Sequence, residues 1–72
     1  MKGVSMVAQV GETAGRVWET LNRAKEPVHV TELPKMLKVQ TSVVYMALGW
    51  LAREDKVAFS LQGKRAMVAV RE

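Results

Sequence analysis

From Lys56 onward the apolar residues alternate, in VAFSL and again in AMVAV, whereas the longer repeats before Lys56 run at helical spacing. A single change of period, late in the chain, confines the fold to helices first and one antiparallel hairpin last. Gly63 marks the turn between the two alternating runs. If Gly63 and Lys64 form a two-residue turn with glycine at its first central position, Val57, Phe59 and Leu61 share a face with Ala66, Val68 and Val70. That face is entirely apolar and is expected to lie on the core. The opposite face holds Ala58, Ser60, Gln62, Arg65, Met67 and Ala69, which is small and mixed. A turn at Gln62 and Gly63 would put Lys64 on the core face, so the first register is predicted.

Three helical segments are predicted upstream. In GETAGRVWETLNRA, Ala14, Val17, Trp18 and Leu21 recur at i, i+3, i+4, i+7, which predicts a helix over 11–25 with Trp18 in the core. Gly11 or Thr13 serves as its N-cap, Glu12 suits its first turn, and Arg23 and Lys25 suit its C-terminal end. Pro27 is expected to stop it, and residues 1–10 form an N-terminal segment. Val28, His29 and Val30 alternate as a very short strand. Thr31 is expected to cap a second helix over 31–38, in which Leu33, Met36 and Leu37 face inward and Pro34 sits in the first turn. Val39 and Gln40 connect it to a third helix over 41–54, capped by Thr41 or Ser42, and the hairpin occupies 56–71. No repeat, linker or low-complexity stretch divides the chain, so 1–72 reads as one domain. The order is helix, short strand, helix, turn, helix, hairpin. It predicts an α+β winged helix-turn-helix, a three-helix core with a short strand and a C-terminal β-hairpin wing.

The third helix departs from what such a fold usually places there. In TSVVYMALGWLAREDK the first twelve residues carry no charge, while a DNA-reading helix normally presents arginine, lysine or amide side chains to base edges. Taking Val44, Leu48 and Leu51 as the inward stripe leaves Val43, Tyr45, Met46 and Trp50 pointing elsewhere. A helix apolar all round is usually buried all round, so this one is expected to be covered in part by protein. Val43, Met46 and Trp50, with Met67 of the hairpin, are the candidate protein interface. The alternative for Trp50 is packing beneath the wing or the N-terminal segment. Gly49 is expected to admit a close neighbour, and Arg53, Glu54, Asp55 and Lys56 to end the helix and pair locally.

Charge points to a partner. The chain carries a net +4 at pH 7, all of it between Lys35 and Arg65, because the cations and carboxylates of residues 1–34 balance and Arg71 cancels Glu72. A localised positive field attracts polyanions through counterion release. The wing tip, with Lys64 and Arg65, is the best candidate for phosphate or minor-groove contact. Lys35 and Lys38, with the hydroxyls of Thr41 and Ser42 at a helix start, are candidate backbone grips. Each of these also fits an ordinary solvated face.

Other chemistries find little support. The absence of cysteine removes disulfides, thiolate metal sites and cysteine nucleophiles, and makes an intracellular, cytoplasmic location the default. The first ten residues are too polar for a signal peptide, and no run approaches the ~20 apolar residues that span a bilayer. His29 stands alone, so no metal is expected. Glu54 and Asp55 are adjacent and project about 100° apart on a helix, which does not make a catalytic pair. No enzyme activity, cofactor or small-molecule ligand is expected. A chain of this length buries a modest core, which self-association would supplement.

GETAGRVWETL near the start and ALGWLAREDKV from Ala47 to Val57 together resemble one family. These are the small stand-alone winged-helix proteins of bacteria and archaea, classed as a domain of unknown function, and the likeness covers nearly the whole chain. It implies a winged-helix fold and a presumed DNA-binding role. By similarity to the reading helix of winged-helix transcription regulators, Thr41, Ser42, Val43, Tyr45 and Met46 would face bases. The resulting expectation is a regulator-like DNA-binding module of weak sequence specificity, assembled as a homodimer, that contacts phosphates through helix 2 and the wing. The alternative is a protein-interaction or dimerisation module on the same scaffold, without specific base readout.

Overall fold

A hydroxyl opens the first helix. In the computed structural model, which describes residues 5–71, Ser5 Oγ accepts a hydrogen bond from the Ala8 N–H at 3.1 Å and starts α1, Met6–Ala24. The helix therefore begins a turn and a half before the predicted cap at Gly11 or Thr13. The buried stripe Val10, Thr13, Ala14, Val17 and Leu21 explains this, since Val10 extends the inward face one turn upstream. Residues 1–4 of the predicted N-terminal segment lie outside the described residues. At the other end Lys25 adopts a left-handed conformation, φ 59°, and its N–H donates to the Leu21 carbonyl at 3.2 Å. That cap, and not Pro27, ends α1. Trp18 is only partly buried, packed against the edge of the core.

The next elements are shorter than the sequence suggests. Strand β1 is Val28–His29, and Val30 enters a 3₁₀ turn, Val30–Glu32, that leads into α2, Leu33–Leu37. Thr31 lies inside that turn and is not an N-cap. The capping group is His29, whose Nδ1 accepts from the Thr31 N–H at 3.3 Å and lies 2.8 Å from its hydroxyl. Leu33 and Leu37 are buried, but Met36 is 52 % exposed, because a helix of five residues has room for only one buried ridge. Lys38 closes α2 in a left-handed conformation, φ 58°.

α3 runs Thr41–Arg53. Gln40 precedes it and offers no side-chain cap, so neither Thr41 nor Ser42 caps this helix as predicted. Val43, Val44, Ala47, Leu48 and Leu51 are buried, and at about 100° per residue they occupy one continuous arc. Thr41, Ser42, Tyr45, Met46, Gly49, Trp50, Ala52 and Arg53 fill the rest and are exposed. Within the single chain α3 is thus covered on one side only, and its other side is largely apolar and open. Gly49 is also open: among the described residues nothing lies within 4 Å of where a Cβ would stand, so none of them requires a glycine there. Gly49→Ala is expected to raise the unfolding free energy by roughly 0.5–1 kcal/mol, read from the urea midpoint at fixed protein concentration.

The sheet order is β1-β3-β2, with β2 at Val57–Gln62 and β3 at Arg65–Val70. Val57 pairs with Val70, Phe59 with Val68 and Leu61 with Ala66, the register the alternation predicts. Gly63 takes φ 65° while Lys64 does not enter the left-handed region, which is a type II′ turn with glycine at its first central position. The predicted core face is only half realised. Val57 and Val68 are buried at 5 % and 0 %, whereas Phe59 and Leu61 are 48 % and 74 % exposed. α3 and α1 cover the base of the hairpin, and its apolar face continues past them into solvent. At the base Arg71 reaches Asp55 at 3.3 Å, and its N–H donates to the Lys56 carbonyl at 2.9 Å. Asp55 thus pairs across the sheet end and not within the 53–56 run, because its left-handed backbone, φ 61°, turns the chain there.

The architecture is a winged helix: three helices, a three-stranded antiparallel sheet and a C-terminal wing. Among the described residues no helix is long and apolar enough to cross a membrane.

Candidate nucleic-acid interface

The corner between α2 and α3 is tightly built. The Val39 N–H donates to the Pro34 carbonyl at 3.2 Å, and the Gln40 carbonyl accepts from Val43 and Val44 at 3.1 Å each. From α1, the Arg16 guanidinium donates to the Leu37 carbonyl at 2.9 Å and ties down the end of α2. Arg16 is a positioning residue that the sequence did not reveal, because its partner lies 21 residues away and is a backbone atom. On this frame Lys35, Lys38, Thr41 and Ser42 are all exposed. Thr41 and Ser42 occupy the first turn of α3, whose N–H groups no side chain caps, so hydroxyls and amide donors open together toward solvent.

Lys64 and Arg65 stand on the wing turn, also exposed. Among the described residues Arg71–Asp55 is the ion pair, and none of Lys35, Lys38, Lys64 and Arg65 has a carboxylate partner. Their charge is therefore not neutralised among the described residues. No hydrogen bond joins the wing pair to the helix corner, so the structure presents two cationic points and not one cluster. Among the described residues no three of His, Asp and Glu assemble as metal ligands.

The predicted protein interface is partly corrected. Val43 is 1 % exposed and belongs to the core, which removes it from both the interface set and the base-facing set. Its position, next to Val44 on the inward arc, is the reason. Met46 and Trp50 are each 44 % exposed, Tyr45 43 %, and Met67 is half-buried between Ser60 and His29 on the outer sheet face. Trp50 rests one edge against α1, its ring 3.8 Å from the point where a Cβ on Gly11 would lie. Its neighbour on α1 is Gly11, the first residue of the predicted 11–25 helix and not part of the 1–10 segment.

Fold and surface together define a winged helix-turn-helix module. Residues 5–70 match the family model of the winged helix-turn-helix domain DUF2582, and the chain belongs to that family. It is 30 % identical over 69 residues to the uncharacterized protein MJ1608 of Methanocaldococcus jannaschii, covering 92 % of this chain and 96 % of that one. The solution NMR structure of BT2368 from Bacteroides thetaiotaomicron is similar at a TM-score of 0.78 and 32 % identity, over 88 % of this chain and 76 % of that chain. A structure of HOP2, described through its DNA recognition and protein interaction domains, shares the fold at a TM-score of 0.74 and 21 % identity, over 82 % of this chain and 98 % of that chain.

Proposed function

We propose that this protein is a DNA-binding module, regulator-like and not an enzyme, that grips the phosphate backbone with little reading of base sequence. One observation carries this reading: the cations Lys35, Lys38, Lys64 and Arg65 are exposed and unpaired among the described residues, while the open face of α3 holds a single charge, Arg53. Lys35 and Lys38 supply charge at the helix corner, Thr41 and Ser42 supply hydroxyl and amide donors, and Lys64 with Arg65 reach a second phosphate track or a narrow minor groove. Tyr45 and Met46 face where bases would lie and offer mainly apolar surface, so discrimination between sequences is weak. Titrating the chain with a generic duplex at low salt is expected to shift the amides of residues 35–42 and 62–66 together. An unchanged spectrum at low salt would refute the proposal.

The exposed apolar residues Tyr45, Met46 and Trp50 favour a second reading, a protein-interaction module on the same scaffold. In that case added DNA leaves the corner and wing amides in place, and Trp50→Ala weakens association with a protein partner.

A further inference from the structure

β2 is an edge strand, since the order is β1-β3-β2. Its sequence, VAFSLQ, has no charge and no proline, it pairs with β3 without a bulge, and every residue from Ala58 to Gln62 is exposed. Natural edges are usually blunted by one of those devices, because bare strand edges recruit other strands. The hydrogen-bond phase shows what is left open. In a hairpin closed by a two-residue turn the flanking pair, Gln62 and Arg65, exchanges both backbone bonds and the pattern alternates from there. The N–H and C=O groups of Val57, Phe59 and Leu61 therefore point away from β3. The same three residues carry the apolar face on which Phe59 and Leu61 remain uncovered.

We infer that β2 is the docking strand for a second copy of this chain, paired antiparallel about a two-fold axis at Phe59. Any symmetric antiparallel pairing that uses the outward-facing groups must match odd-numbered residues with odd-numbered residues. Setting Phe59 opposite Phe59 places Val57 opposite the second copy's Leu61, and all three outward-facing residues of each strand are then paired. Charge selects the same register. It brings Lys64 of one copy alongside Glu54 of the other, a cation against a carboxylate, twice by symmetry. Glu54 and Lys64 are exposed, and among the described residues neither has an ion-pair partner. Sliding the strands two residues one way sets Lys56 near the second copy's Lys64, like against like. Sliding them the other way sets Leu61 against Asp55. In the selected register Leu61 lies beside Val57 of the other copy, at the base of its sheet where α3 ends. The joined strands make one six-stranded sheet, and Lys35, Lys38, Thr41, Ser42 and Arg65 stay outside the contact.

Sedimentation equilibrium of the full chain, with no nucleic acid present, tests this independently of the proposed function. The wild type is expected to dimerise, and the amides of Val57, Phe59 and Leu61 to gain hydrogen-exchange protection with concentration. Phe59→Lys, which sets two ammonium groups face to face at the axis on an already exposed position, should weaken association about a hundredfold or more with circular dichroism unchanged. Glu54→Lys and Lys64→Glu should each weaken it about tenfold, and the double exchange should restore it. A chain that stays monomeric up to about 1 mM overturns the inference. So does a dimer that tolerates Phe59→Lys but falls apart on Trp50→Ala. Single charge variants that weaken the dimer without recovery in the double exchange overturn the register.

Discussion

Leu21→Ala is expected to lose about 2–5 kcal/mol of stability, the usual range for a fully buried leucine truncated in a packed core. Leu21 is 1 % exposed at the end of the α1 stripe, packed in the same core cluster as Leu33, Val17 and Val68. A chain of 72 residues has a margin of roughly 4–11 kcal/mol, so this one change removes a large part of it. In a thermal melt followed by circular dichroism at fixed concentration, a loss of about 3 kcal/mol moves the midpoint down by roughly 12–24 °C. The control is the same truncation elsewhere. Leu61 is 74 % exposed, and Leu61→Ala should leave the midpoint of the dilute protein within a few degrees, since there is little burial to lose and no cavity to open. Equal losses at the two positions would mean the wing is packed in solution.

The second large effect concerns salt. If Lys35, Lys38, Lys64 and Arg65 each neutralise one phosphate, the logarithm of duplex affinity should fall against the logarithm of salt with a slope of about −3.6, a loss of roughly a hundredfold between 50 and 200 mM. Lys64→Ala with Arg65→Ala should flatten that slope by about 2, as should Lys35→Ala with Lys38→Ala. The four positions are exposed on the single chain, so in dilute, monomeric protein each double variant should melt like the wild type. A slope unchanged by both double variants would place the phosphate contacts elsewhere.

The hairpin register, the helix order and the fold class were legible in the sequence because each rests on a local signal: a period of two around a glycine, a period near 3.6 before it. What failed was where local signals compete. Gly11 drew the start of α1 inward, although Val10 continues the stripe and Ser5 is a hydroxyl cap one turn further out. Thr31 looked like a cap, yet the neighbouring His29 ring takes that role. For α3, the inward stripe of Val44, Leu48 and Leu51 widens in the fold to an arc that also takes in Val43 and Ala47. The candidate cations were readable from composition alone. That they lack carboxylate partners among the described residues, and that Arg16 is spent on a carbonyl, depends on contacts between distant segments that no window of sequence contains.

The bond from Arg16 to Leu37 has a consequence for how any ligand is met. α2 has five residues, too few to hold a direction of its own, and its heading is set by two buried leucines and this one strut from α1. Lys38, Thr41 and Ser42 follow on directly from the strutted carbonyl, so their spacing is decided before a ligand arrives. Such a corner behaves as a template: it loses little conformational freedom on contact, and the flexible party in the encounter must be the one that adapts.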